Sequence, residues 1–580
     1  MQSATGSVTE TDRTYLNTEY QRLKNEIDRI GSQTQWNGMN IFDGVSFPGT
    51  TQFQVGANAN QTIGVEIAEV STWALAATSI LQLGSDIDGE APGDYSGTAV
   101  SLSGDGTTVV IGAPGNDGGG PGGGHARIYR YDSDTSSWVQ LGSDIDATTI
   151  YDSAGSSVSI SHDGSIVAVG APLNRSGGTY AGETRIYKYD SVASAWIQLG
   201  SDITGSLSTG KSGYQVSMSD DGSRIAVLSQ NLLAKIYQYD AQALDWVQLG
   251  PEISDPYSSA GFGSFEALSL SGDGSTISIG ADGKGTLDPG FTSVFRFDSA
   301  TSRWIQLGSD IAGEWYSDRS GGAVSLSKDG STVAIGATHN GFGNDAASGH
   351  VQVYRYDNAS SAWIQLGSDI DGEAAWDESG HAVSISDDGS VVVIGAYRND
   401  GGGNNSGHAR VYRFDEKSDS WIKIGPDIDG ETAVDLSGDA TSISADGSTV
   451  AVGASLNDGS GKADSGHVRV HKLTNLKFST LTSQGDSTTA LTLIDQAHSN
   501  LSTMRATYGA AINQITHAID NLSNTLLNTA SSESRISDTD YAKESSNLAT
   551  AQIRNQGAKA MLAQTNTDQE LTLQLIEDWL

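Results

Sequence analysis

Along residues 79–473 the apolar positions fall in short alternating or continuous runs, and the runs return at a nearly constant interval. Segments such as AVSLS and TVAIGA have the character of half-buried and buried strands. An Asp-Gly pair separates them in every copy, at Asp105-Gly106, Asp163-Gly164, Asp221-Gly222, Asp273-Gly274, Asp329-Gly330, Asp388-Gly389 and Asp446-Gly447. Asp-Gly between β-rich runs marks a hairpin, here expected as a type I′ turn with positive φ at both central positions. A Gly-rich loop follows, then a third strand (HARIYRYD, HVQVYRYD, HARVYRFD) and a polar turn into WIQLGSDI or a variant. These units start at Ile80, Trp138, Trp196, Trp246, Trp304, Trp363 and Trp421, at spacings of 58, 58, 50, 58, 59 and 58 residues. Four antiparallel strands per unit, repeated radially, describe a blade, so seven units predict a seven-bladed β-propeller rather than a solenoid or a string of small β domains.

Ring closure follows from the ends of the repeat. If the Trp strand is the outermost strand D, Ile80–Ile87 is a strand D with no A, B or C before it. The last repeat has A, B and C, ending HVRVHKL at 467–473, with no D after it. The two fragments are expected to complete one blade and remove two exposed edges. Residues near 79 and 474 then lie together, as insertion into another protein's loop requires.

Outside the repeat the periodicity becomes helical. Leu16, Tyr20, Leu23, Ile27 and Ile30 recur at spacings of 4, 3, 4 and 3, and Gly31 and Asn37-Gly38 end that helix. Leu491, Ile494, Leu501, Tyr508, Ile512, Ile515, Ile519, Leu522 and Leu526 hold a similar spacing, and a second amphipathic stretch runs from about Asp538 to Leu580. Each stripe needs a partner, and the other arm is the expected one, giving a coiled-coil rod. The fold class is therefore multidomain α + all-β: an N-terminal arm of helix plus β-hairpin at 1–78, the propeller at 79–473 and a helical arm at 474–580. Self-association of the rod is assigned to Leu16, Tyr20, Leu23, Ile27, Ile30, Leu501, Tyr508, Ile512, Ile515, Ile519 and Leu522.

Composition narrows the chemistry. The 580 residues include no Cys, which excludes disulfides, thiolate metal sites and cysteine nucleophiles. A net charge of −38 argues against nucleic acid or an anionic bilayer as a partner. No apolar run reaches the ~20 residues of a membrane span, and MQSATGSVTETDR carries no Sec-type signal. The propeller holds 22 basic and 51 acidic residues, so most of the excess charge lies there. The acids concentrate in the D–A loops, and the B–C loops carry Asn-Asp pairs at 116–117, 399–400 and 457–458. Asp88, Glu90, Asp117, Asp371, Glu373, Asp400, Asp429 and Asp458 are the candidate ligand-facing residues, for a cation, glycan or protein. The alternative, which we prefer, is a solvated face whose charge prevents filament bundling.

Four repeats place Gly-His before strand C, at His125, His350, His408 and His467. Metal ligation would need several of these to converge, whereas a ring keeps them in separate blades. A recurrent inter-strand hydrogen bond is expected instead, with no metal site. The repeated Trp reads as a blade-packing residue. No nucleophile–base–acid set, phosphate loop or HExxH occurs, so no enzyme activity, catalytic residue or cofactor is expected.

Two resemblances add to this. Ser-Gly before strand A and Gly-Ala-Pro after strand B (112–114 and 170–172) resemble FG-GAP propeller repeats. Calcium-binding members carry a DxDxDG loop between strands A and B. Here that place holds Ser-x-Asp-Gly, too few carboxylates for the 6–8 oxygens of calcium. The arms resemble bacterial flagellin, in LKNEIDRIGSQTQWNGMNIFDG (23–44), FQVGANANQTI (53–63), the segment 490–524, SRISDTDYAKESSNLATAQI (534–553) and AKAMLAQTN (558–566). That resemblance implies that the terminal D0/D1 regions form the core of an extracellular flagellar filament serving motility. Other flagellin subunits would be the partners, in a homopolymer, with the propeller as the variable outer domain. It also implies a further helix ahead of Gln2 containing most of the N-terminal D0 strand. The C-terminus departs from an apolar Leu-rich tail at Glu577 and Asp578. Toll-like receptor detection is a family property of which only the LKNEIDRI portion is retained. A second implied role is adhesion, with the displayed propeller binding a glycan or host surface.

Overall fold

The computed structural model describes residues 2–6, 8–43, 46, 50–56, 60–76, 78–206, 208–230, 233–254, 265–283, 289–340, 347–538 and 540–577. The last residues of the C-terminal stretch and the centre of the FQVGANANQTI motif lie outside them. The chain divides into one unit of residues 1–46 and 69–500 and another of 47–68 and 501–580.

Seven sheets of the first unit each carry strands A to D in order, beside a two-stranded ribbon of Gln35–Trp36 and Met39–Asn40. In blade 1 these are Ala99–Leu102, Thr108–Ala113, His125–Asp132 and Ser137–Gln140. Strand B is buried along its whole length, being covered on both faces. Blade 7 takes A, B and C from Ser437–Ile443, Thr449–Ala454 and His467–Thr474, and its D from Ser79–Gln82. The register pairs Ser79 with Thr474, Ile80 with Leu473, Leu81 with Lys472 and Gln82 with His471. Leu473 is fully buried in a cluster that Ile80, Trp73 and Phe478 cover. The protein is a seven-bladed β-propeller whose last blade is shared between the two ends of the repeat.

The hairpin between strands A and B differs from the expected type I′ turn. Gly106 N–H donates to the Ser103 carbonyl, and only the glycine has positive φ, +69°. Ser103 N–H in turn donates to the Thr108 carbonyl, the pattern of a longer loop closed by a left-handed glycine. Side chains explain the choice: Ser103 Oγ donates to Asp105 Oδ1, which also accepts the Thr107 N–H. The same Ser–Asp bond recurs in the other six turns.

Three sets of bonds join blade to blade. The residue between Ser and Asp of each turn donates its N–H to the carbonyl of its counterpart in the next blade. The order is Gly104, His162, Asp220, Gly272, Lys328, Asp387, Ala445 and back to Gly104, with distances of 2.8–3.0 Å. A serine of each strand A accepts an N–H from strand A of the neighbouring blade, as Ser101 does from Ile160; these seven bonds also close, through Leu102 to Ser442. At the rim, six Trp Nε1–H groups donate to the Leu carbonyl of the preceding blade's D segment, at 2.6–2.9 Å. At the seam Ile80 replaces Trp and lies over Gly425.

Helix α1 (Glu10–Gln33) docks through polar residues that the apolar stripe did not reveal. Tyr20 Oη lies 2.7 Å from Ser479 Oγ, Lys24 Nζ donates to the carbonyls of Lys477 and Ser479, and Asp28 accepts two bonds from Thr72. Gly31 is required there, since a Cβ would meet the Val70 carbonyl oxygen. Of the expected stripe, Tyr20 is buried and Leu16 and Ile27 are half-buried. Leu23 is 59% exposed, and Ile30 is exposed as well. Leu16, Tyr20 and Leu23 share a groove with Leu491 and Ile494 of helix α2 (Gln484–Ser537). In the second unit a hairpin pairs Thr50–Gln54 with Thr62–Glu66, and Tyr508 Oη accepts the Ala68 N–H.

His471 makes the seam pH-sensitive. Six blades place Tyr129, Tyr187, Tyr237, Phe295, Tyr354 or Tyr412 where blade 7 has His471. Burial, with Arg469 and His467 adding to it, pushes this imidazole down to about 4. The unfolded chain therefore takes up this proton first, and stability is lost as pH falls from about 6.5 towards 4, by about 3 kcal/mol in all. His471→Tyr is expected to make the drop in melting temperature between pH 7 and pH 5 smaller, measured by calorimetry.

Candidate functional site: the acidic loop face

Each outer strand breaks after its fourth residue and resumes as a two-residue strand beside the start of strand C. Ile87-Asp88 pairs there with His467-Val468, and Ile370-Asp371 with His350-Val351. The break carries an acid six residues after the Trp (Asp86, Asp144, Asp369 and Asp427 among them) to the first side chain of strand C.

The loops themselves are tied down from within. Asp94, Asp152, Asp377 and Asp435 are buried, and each accepts Nδ2–H from Asn116, Asn174, Asn399 or Asn457 at 2.9–3.0 Å. The same carboxylates accept N–H groups of their own loops, as Asp435 does from Glu431 and Thr432. The Asn of each Asn-Asp pair is thus a loop anchor. Its neighbours Asp117, Asp400 and Asp458 are exposed, and each accepts one backbone N–H of its own loop, from Gly122, Asn405 and Asp464. Asp88 takes the Ser460 hydroxyl, and the backbone carbonyls of Asp371 and Asp429 accept from Arg410 and Arg469. Glu90 and Glu373 lie 3.6 and 3.3 Å from the guanidinium groups of Arg127 and Arg410. The eight candidates therefore do not converge on one site; they are distributed over separate blades.

The histidines differ from expectation. His125, His350, His408 and His467 are buried, yet both ring nitrogens of His125 and the Nε2 of His350 and His408 have no hydrogen-bond partner. Their Nδ1 atoms face carboxylates: Asp144 at 3.7 Å from His125, Asp369 at 3.7 Å from His350, Asp429 at 4.0 Å from His408 and Asp86 at 3.9 Å from His467. A glutamate from the loop entering the same blade completes each group, giving Glu90–His125–Asp144, Glu314–His350–Asp369, Glu373–His408–Asp427 and Glu431–His467–Asp86. Burial holds His125, His408 and His467 below the usual imidazole value, and Arg127, Arg410 and Arg469 add to the effect. The sequence signal for these groups was present: Gly-His and the acid six residues after Trp are both visible. The requirement that several histidines converge concealed it.

Strands A surround a central cavity of about 600 Å³. Its polar lining includes Tyr214 bonded to Glu266, Tyr397 bonded to Glu378, and His381 Nε2 at 3.2 Å from Asp439. Burial, with Glu378 reinforcing it, pushes the Tyr397 hydroxyl up to about 12. These positions vary between repeats, so periodicity gave no signal for them.

Comparison with known proteins bears on the arms and the repeat separately. Residues 1–46 match the bacterial flagellin N-terminal helical region, and residues 491–576 match the bacterial flagellin C-terminal helical region. Both ends of the chain are flagellin-like. Residues 87–129 and 370–412 match the FG-GAP repeat. Flagellin A of Vibrio cholerae serotype O1 is 44% identical over 84 residues, which is 14% of this chain and 22% of that protein. A flagellin of Bacillus subtilis is 42% identical over 86 residues, 15% of this chain and 28% of that protein. The chain thus spans less than a third of the length of these curated relatives. Among solved structures, the β-propeller domain of Myceliophteria thermophila Cps50 (Swd1) covers 68% of this chain and 100% of that chain, with TM-score 0.44 and 10% identity. In the C-terminal flagellin-like region Leu501, Ile512, Ile519 and Leu522 are exposed, while Tyr508 and Ile515 are half-buried. Among the described residues no helix is long and apolar enough to cross a membrane.

Asn399→Ala removes one of the donors holding the buried Asp377 carboxylate. A loss of about 1–3 kcal/mol is expected, read as a lower melting temperature; an unchanged value would show that the loop holds without this anchor.

Proposed function

We propose that this chain is a structural subunit of an extracellular bacterial flagellar filament, serving motility by polymerising with copies of itself. The flagellin-like regions at both ends supply the contacts, and the acidic propeller is displayed as a solvated outer domain. The observation that carries this is the pairing of flagellin matches at both ends with apolar side chains left open on those same helices. Ile512 and Ile519 are 62% and 55% exposed in the single chain, and Leu23 and Ile30 are also open. Large apolar groups recurring along one helix face mark a surface covered in an assembly.

Exposure makes the test clean, because removing these groups takes nothing from the core of the single chain. Ile512→Ser with Ile519→Ser is expected to leave the folding stability within about 0.5 kcal/mol of the parent. The same change is expected to abolish sedimentable filaments of the protein at neutral pH, as seen by ultracentrifugation and electron microscopy. Filaments formed equally well by the variant would contradict the proposal.

A further inference from the structure

We propose that Glu314, His350 and Asp369 of blade 5 form a binding site for one divalent transition-metal ion of the zinc class. Their ligand atoms lie within 4.8 Å of one another. His350 has a side chain only 2% exposed, its Nε2 is unpartnered, and its Nδ1 points at Asp369 Oδ2 from 3.7 Å. That distance is too long for a hydrogen bond. Donor atoms on a tetrahedral ion with bonds of ~2.0 Å sit ~3.3 Å apart, so the His350–Asp369 pair closes by a few tenths of an ångström and the exposed Glu314 side chain by up to about 1.5 Å. One imidazole with two carboxylates suits zinc and its neighbours rather than calcium, which takes oxygens alone and more of them.

The carboxylate is already oriented. Asp369 Oδ1 accepts Nε2–H from Gln365 at 2.6 Å and from Gln352 at 3.1 Å, leaving Oδ2 turned to the imidazole. Gln352 is itself held by the Tyr354 hydroxyl at 3.1 Å. Metal sites depend on such an outer shell to fix ligand orientation.

The repeats supply an independent comparison. Ten residues after the Trp, or after Ile80, stands Glu90, Glu314, Glu373 or Glu431 in the four blades that carry the buried histidine. The other three blades have Thr148, Ser206 and Pro256 there and begin strand C with Glu183, Leu233 and Phe291. Glutamate and histidine occur together or not at all. Blade 5 then differs from the other three in one residue. Two positions after the histidine they have Arg127, Arg410 and Arg469, whose guanidinium groups lie 3.3–3.8 Å from the glutamates. Blade 5 has Gln352, and among the described residues no cation lies within ion-pair distance of Glu314. An arginine fills the place of a metal in three blades, and blade 5 leaves that place to an ion. A related group, His162, Asp220 and Asp387, is already neutralised by Lys328, at 2.5 and 3.2 Å from the two acids.

The absence of Cys removes competing thiolates, so titration of the chelator-treated full chain with zinc chloride at pH 7 reads this site directly. Calorimetry is expected to show one tight site, and calcium chloride to show none there. His350→Ala is expected to weaken zinc binding at least tenfold. Gln352→Arg, which installs the residue found in the other blades, replaces the Gln352 bond to Asp369 with a cation beside Glu314 and is expected to weaken it about tenfold or more. Arg127→Gln is expected to raise the stoichiometry from one to two by freeing Glu90, whose carboxylate pairs with Arg127. Zinc binding that is absent, or unchanged by both His350→Ala and Gln352→Arg, would overturn the proposal. Should His350→Ala fail to fold, the Gln352→Arg and Arg127→Gln titrations decide it alone.

Discussion

The pairing of Ser79–Gln82 with the end of His467–Thr474 is the contact on which the rest of the molecule depends. Without it, blade 7 lacks its outer strand and strand C keeps an open edge. With it, every A–B turn has a neighbour on each side, and the amide ring from Gly104 round to Ala445 has no end. Edges are what a β-sheet must protect, and a ring leaves only the short outer strands open to water. The seam also places the two arms at adjacent residues, Ser79 and Thr474, whose hydroxyls lie 2.6 Å apart. An insertion can then be carried by a helical host without spreading it.

Seven-fold repetition makes the scaffold, and departures from repetition mark where something else is being asked of it. Ile80 for Trp and His471 for Tyr both fall on the shared blade, where the outer surface is covered by Trp73 and Phe478 instead of by the next repeat. The Gly-Glu and Gly-His positions vary together among blades, and the residue two places after the histidine varies between Arg and Gln. Such coupled substitutions within one chain report a local chemistry that the sheet geometry alone does not need. The large negative charge is compatible with all of this because the loop acids are mostly engaged one at a time, by Arg, Asn or backbone N–H groups.

Much of the fold was legible in the residues. The Asp-Gly spacing gave the blade count, and the orphan ribbon at Ile80 gave the seam, since strand periodicity and turn chemistry are local signals. The turn type was misread because a Ser-x-Asp-Gly loop is stabilised by its own side chains, Ser103 and Asp105, in preference to the type I′ geometry. Docking of α1 was hidden for a different reason. Asn17, Gln21, Lys24 and Asp28 bond to backbone groups of residues 72 and 477–481, Tyr20 bonds to the Ser479 hydroxyl, and a polar stripe on a helix looks like a solvated face until its partners are known. The histidine–carboxylate groups combine residues about 20 to 60 positions apart, or nearly 400 across the seam. Each part recurs at a fixed place in its repeat, but only the pairing of strand C with the outer strand shows that the parts meet.

The central claim is that one chain closes its propeller by joining residues near 80 to residues near 470. Gln82 and His471 face each other across the seam, at the separation of directly opposed strand residues, which lies within disulfide reach. In a chain without any other thiol, Gln82→Cys combined with His471→Cys should oxidise to an intramolecular crosslink, seen as a faster-migrating monomer on a non-reducing gel and reversed by reductant. Thiols that stay free, or that crosslink only between chains, would contradict the closed ring.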